Sequence, residues 1–196
     1  MMRVLCAAAL AACSSICWFA RIPLLRELEA GTALRMEIED LALNAESIFE
    51  GRVLAARALR DERGLVRTEY IVSVERTFAG QPLGTRTFEL PGGTLPDGSG
   101  TVIAGMPSVR VGEDVLLFLT EASANGLRMP VGLAQGKFAL VRDAAGELGL
   151  LRSAVDLSLL DPRTRTAAPA PVPNVVSYEA VVQRVRAALA AKAEGR

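Results

Sequence analysis

The chain has 196 residues, with 22 Lys+Arg against 22 Asp+Glu and a formal net charge of zero. That balance, with no interleaving of aromatic and basic residues, excludes the electrostatic footprint of a nucleic-acid-binding protein. There is no His, and all three Cys stand at positions 6, 13 and 17, so the chain beyond lacks the imidazole and thiol that carry most proton-shuttle, nucleophilic and soft-metal chemistry.

Arg3 followed by the apolar run Val4–Ala20 reads as the charged and apolar regions of a secretory signal. At about 1.5 Å per residue the run falls just short of the roughly 30 Å hydrocarbon core, and Ser14 and Ser15 interrupt it. A cleaved signal is the first expectation. Leu10-Ala11-Ala12-Cys13 also resembles a bacterial lipobox, which would make Cys13 an acylated N-terminus, and an uncleaved anchor is the third alternative. The expected location is exported: periplasmic, cell-envelope or extracellular, with the membrane touched only through residues 1–20.

Residues 21–36 read as a linker with a short helix, Leu24, Leu25 and Leu28 making a stripe that stops at Gly31. Glu37 to Ala45 has Ile38, Leu41, Ala42 and Ala45 at helical spacing and acids in its first turn, where the helix dipole favours them. The period then changes to two. Ser47–Ala55 predicts a strand with a kink or bulge at Gly51, and Asp61–Gly64 a turn. Val66, Thr68, Tyr70, Val72 and Val74 alternate along a second strand with one mostly polar face. Thr85–Leu90 is a third strand, and Pro91–Gly100 a Gly-rich loop. Short extended pieces follow at Thr101–Ala104 and Ser108–Val111. Val115–Leu119 is apolar throughout and so is expected at the centre of a sheet. Strands at Leu127–Leu133, Lys137–Arg142 and Leu148–Leu151 complete the set. Many short strands with Gly-rich turns predict a mainly β chain: a small closed or partly open OB-like barrel over residues 37–156.

Residues 157–176 read as a Pro-rich linker, stiff and extended over Thr164–Pro173. A C-terminal amphipathic helix over 177–193 follows, capped by Ser177, with Tyr178, Val182, Val185 and Leu189 on one stripe. It is expected as a tethered accessory to the barrel. Residues 21–156 carry 15 basic against 19 acidic side chains, net −4, and residues 157–196 carry 6 against 3, net +3, so neither part is strongly charged.

Ala45-Glu-Ser-Ile-Phe-Glu-Gly-Arg-Val53, followed by Thr68-Glu-Tyr-Ile-Val-Ser-Val-Glu-Arg-Thr-Phe-Ala-Gly80, resembles the first strands of OB-fold domains of the netrin-like and tissue-metalloproteinase-inhibitor kind. Gly105–Leu119 with Val131–Phe138 is similar to a group of uncharacterised exported bacterial small β-barrel proteins. The resemblance spans roughly residues 38–142 and implies the fold. The inhibitors' zinc-chelating N-terminal Cys and their disulfides have no counterpart here, so metalloproteinase inhibition is not implied.

Few residues invite a functional reading. The loop Pro91–Gly100 offers backbone N–H groups at Gly92 and Gly93, with Thr94 and Asp97 beside them, as a cradle for a ligand. Gly132-Leu-Ala-Gln135-Gly136-Lys137 echoes a phosphate loop, but it has one residue too few between its glycines and a Phe where Ser or Thr is needed. A turn with a solvated Lys137 is the plainer reading. No residue is assigned a catalytic or metal-binding role, and no cofactor is expected. The function that follows is a non-catalytic exported envelope module recognising a protein or peptide. Two alternatives stand beside it: a hydrolase using paired carboxylates or a Ser/Lys pair on envelope substrates, and a structural lipoprotein anchored at Cys13.

Overall fold

The computed structural model describes residues 31–82, 84–143, 145–152, 157–168 and 175–195. The segment expected to direct export, with Cys13, and the amphipathic stretch before Gly31 lie outside the described residues. No described helix is long and apolar enough to cross a membrane.

In chain order the elements are β1 (Gly31–Leu34), α1 (Ile38–Asn44), β2 (Ser47–Arg60), β3 (Val66–Ala79), β4 (Thr85–Pro91), β5 (Gly93–Thr94), β6 (Gly100–Thr101), β7 (Asp114–Leu119), β8 (Lys137–Arg142), β9 (Leu148–Arg152), β10 (Leu157–Leu160), β11 (Val175–Ser177) and α2 (Tyr178–Glu194). The chain is mainly β. Seven strands make one antiparallel sheet in the order β11-β9-β8-β7-β2-β3-β4. Among the described residues no pairing joins β4 to β11, so the seam of the expected barrel is not formed. The outer side of β4 meets only a bridge from Glu89 to Leu127, and β8 pairs onward with β9.

The strands are not uniformly short. β2 and β3 run for 14 residues each and pair along most of their length. Register shifts at Ile48/Phe49, Glu50/Gly51 and Val53/Ala55 bend β2, so its first half also pairs with β7 while its second half leans on β3 alone. Gly51 allows that bend: a Cβ there would sit 2.1 Å from the Ser73 carbonyl oxygen. Two sequence expectations fail locally. Leu127–Leu133 is not a strand, because it touches the sheet only at two isolated bridges, and residues 102–111 form a loop between β6 and β7.

β7 is central, as its unbroken apolar run requires. Leu116 and Phe118 point to one face, and Val115, Leu117 and Leu119 to the other. The first face packs Ile48, Phe118, Phe138 and Leu150 against α1 and α2. The second gathers Phe49, Val53, Val72, Phe88 and Leu90 with Val109 from the loop before β7. A small third cluster of Ala134, Leu157 and Leu159 lies under the parallel pair β1–β10.

α1 starts at a capping box in which the Glu37 N–H donates to Asp40 Oδ2 at 3.0 Å. α2 starts at Ser177, whose hydroxyl accepts from the Ala180 N–H. Its buried residues, Tyr178, Val181, Val182, Val185 and Ala188, recur at helical spacing and enter the same core as Phe118 and Phe138. Arg184 then grips Glu39 with two hydrogen bonds, 2.7 and 2.5 Å, and Lys192 donates to the Leu43 carbonyl. The stretch expected as a linker contains β10, paired with β1, and β11, paired with β9. These pairings and that shared core bind the helix to the sheet more closely than a tethered accessory would be.

Candidate functional site

The residues singled out from sequence fall in three separate places. Gly92, Gly93 and Thr94 stand at the start of a two-residue hairpin, β5–β6. Gly92 and Gly93 have φ of 90° and 137°, which only glycine adopts readily, and the Thr68 hydroxyl donates to the Gly92 carbonyl at 2.7 Å. A Cβ on Gly93 would meet Thr68 Oγ1 at 2.1 Å, so the hairpin lies directly on β3. Beneath it runs a groove of about 300 Å³, with Tyr70, Leu90, Ile103, Met106 and Val109 in its walls. Burial there pushes the Tyr70 hydroxyl's pKa up. Asp97 is at the hairpin tip, where its carboxylate accepts from the Ser99 N–H and hydroxyl, and those bonds hold its pKa down.

Gln135 is fully buried, and its side chain serves the backbone. Its amide NH2 donates to Leu34 O at 2.8 Å and Gly132 O at 3.2 Å, and its oxygen accepts from the Met36 N–H at 2.9 Å. It pins the link between β1 and α1 to the turn before β8. Lys137 is not solvated. Its side chain is 2% exposed, and its ammonium pairs with Glu113, whose other oxygen accepts from the Arg110 N–H. Lys137 opens a strand after the 3-10 turn Leu133–Gly136, with no helix to aim N–H groups at a phosphate. Glu113 and Asp114 are likewise engaged, the first with Lys137 and the second with Arg52 at 3.2 Å.

A larger concavity than this groove lies elsewhere among the described residues. α1 and α2 cover only part of the first face of the sheet. The rest forms an open cleft of about 1080 Å³, floored by Glu50 and Arg52 of β2, Arg76 of β3, Asp114 of β7 and Leu140 of β8. The β8–β9 hairpin, β11 and the first residues of α2 wall it. At its inner end the Tyr178 hydroxyl donates to Glu50 Oε2 at 2.6 Å and accepts from Arg76 Nη1 at 2.9 Å. Arg76 Nε lies 3.4 Å from the other Glu50 oxygen, and the guanidinium stands over the Tyr178 ring at 5.9 Å. Glu50 is 5% exposed, so these donors offset the cost of burying its charge. Burial, then the bond to Glu50, pushes the Tyr178 pKa up to about 12. The hydroxyl therefore stays protonated as a donor, and the trio ties the start of α2 to the sheet.

This cleft was not read from the sequence, though a trace of it was present. Glu50 and Arg52 interrupt an otherwise apolar strand at the period of one face, whereas Arg76 falls on the apolar series of β3 by period and meets Glu50 only through the register shift at Glu50/Gly51. A carboxylate between Phe49 and Gly51 in a strand of this burial needs a partner, and Tyr178 lies 128 residues away. Among the described residues no group of three His, Cys, Asp or Glu side chains is placed to hold a metal ion. The chain matches no protein-family model, no curated protein and no solved structure.

Proposed function

We propose that this chain is a non-catalytic binding module of the cell envelope, exported by its N-terminal segment, whose protein or peptide partner docks on the part of the sheet face that α1 and α2 leave open. The observation carrying this reading is the cleft itself. Its volume of about 1080 Å³ is at the upper end of ligand sites, and its lining comes from six strands and a helix start held in one core. Its floor polar groups engage one another, Glu50 with Tyr178 and Arg76, and Arg52 with Asp114. Such a floor is preorganised for recognition, with its charges already paired. The OB-like reading of the fold, and the netrin-like resemblance behind it, belong to the same proposal. Support comes from β2, which is bent at its glycine and shared by β3 and β7, as the first strand of such a barrel is.

A random-peptide display library selected on the immobilised chain tests this. Selected peptides are expected to lose binding to Arg142→Trp, which fills the cleft mouth from an exposed position. They should keep binding to Val102→Trp on the far loop. Selected peptides indifferent to Arg142→Trp would refute the assignment of the site.

A further inference from the structure

The cleft's charges specify the chemistry of what fits it. Six carboxylates line it against three guanidiniums. Two of the guanidiniums are already neutralised, Arg52 by Asp114 and Arg76 by Glu50, and the third, Arg142, donates to the Gly146 carbonyl at 2.8 Å. Among the described residues no cation lies within ion-pair distance of Glu75, Glu147 or Glu179. These three are exposed, and they come from β3, the β8–β9 hairpin and the start of α2. They therefore come from three separate elements of the lining, which also holds half-buried Leu140 and Leu148. A concave wall of one sign concentrates its field in the cavity, and a partner of the opposite sign gains both encounter rate and register.

Resting on the reading of the cleft as the docking face, we infer that its occupant is a cationic extended peptide segment. Its Lys or Arg side chains reach Glu75, Glu147 and Glu179, and apolar residues between them cover Leu140 and Leu148. Extension follows from the floor. Leu140 and Leu148 lie on adjacent antiparallel strands, so a chain laid across the sheet meets apolar and acidic groups in turn. A second copy of this chain is disfavoured at this face, because two such walls would bring their unpaired carboxylates together.

Fluorescence anisotropy with the purified full-length chain in non-ionic detergent is the test. The probes are labelled hexapeptides of alternating Leu and Lys, and of alternating Leu and Glu. The Lys peptide is expected to bind at least about tenfold more tightly than the Glu peptide, and to weaken severalfold as ionic strength rises from about 0.05 to about 0.5 M. The double variant Glu75→Lys with Glu179→Lys should reverse the preference. Both positions are exposed and make no ion pair in the fold, so the variant is expected to stay folded. Glu62→Lys with Glu121→Lys, both exposed, outside the cleft and without an ion pair, makes the same change of net charge and should change the ratio little. Equal affinity for the two peptides, or a cleft double variant no different from the Glu62→Lys/Glu121→Lys control, overturns the inference. If library-selected peptides still bind the cleft but carry no basic residues, this inference falls and the binding reading stands. If they bind elsewhere, both fall.

Discussion

Replacing Tyr178 by Phe removes one oxygen, at the point where α2 joins the sheet. That oxygen donates to Glu50 at 2.6 Å and accepts from Arg76 at 2.9 Å, and the Glu50 side chain is 7% exposed. A hydrogen bond to a buried charge contributes about 1.5–3 kcal/mol, and Arg76 still faces Glu50 in the variant, so a loss of about 2 kcal/mol is expected. That corresponds to about 4–8 °C in the melting temperature of a domain this size. The second arm is pH. The Tyr178 pKa is raised from 10.0 to about 12 in the folded protein. A raised pKa means that folding favours the protonated form. The stability it brings is therefore full below about pH 10 and is lost as pH rises through about 12, and two units amount to about 2–3 kcal/mol. Urea unfolding of both proteins at pH 8, 10, 11 and 12 should show the wild-type advantage shrinking across that window (about two pH units). Tyr70, whose pKa burial also raises, is present in both proteins and cancels in the difference. If the variant is as stable as wild type at pH 8, or the gap between them does not depend on alkaline pH, Glu50 does not rely on Tyr178.

Phe118→Ala should cost about 3–5 kcal/mol in denaturant titration, because the ring is fully buried in the central strand and lies 5.9 Å from Phe138; a near-neutral result would misplace β7. Glu113→Ala should destabilise by about 3 kcal/mol by leaving the Lys137 ammonium buried without its partner, whereas Lys137→Met should cost less than about 1 kcal/mol, since Glu113 is 21% exposed and can take up water. The reverse order of these two costs would contradict the assigned burial. Amides of α2 over residues 181–188 should exchange within about tenfold of those of β7, because both belong to one core; exchange orders of magnitude faster would make α2 a loosely docked accessory. A fusion of residues 1–35 to a reporter active only outside the cytoplasm should give signal, and a silent reporter would reject export.

The face on which each buried residue sits was legible in the sequence wherever a local period sets it. Val115–Leu119 reads as central because every residue along it is apolar, on both alternating faces, and it is covered on both faces. The helix at Ile38–Asn44, its acidic start, the Gly51 bend and the stripe of α2 follow likewise from period and capping. Leu127–Leu133 misled because its apolar residues have no continuous partner strand, and extended shape alone does not make a ladder.

Closure, docking and charge pairing are properties of distant segments, and only the tertiary structure decided them. Whether β8 turns to β4 or to β9 depends on the hairpin through Asp143–Glu147, not on β8's own residues. Lys137 and Gln135 read as polar turn residues because a sequence shows no burial. In the fold one is matched by Glu113 and the other by the backbone of Leu34 and Met36. The cleft is the extreme case. It lies where only the first residues of α2 reach the sheet, and polar residues of β2, β3 and β7 that look like scattered surface charges are brought side by side there by strand pairing. Local periodicity determines which way a side chain points, and long-range pairing determines what it meets there.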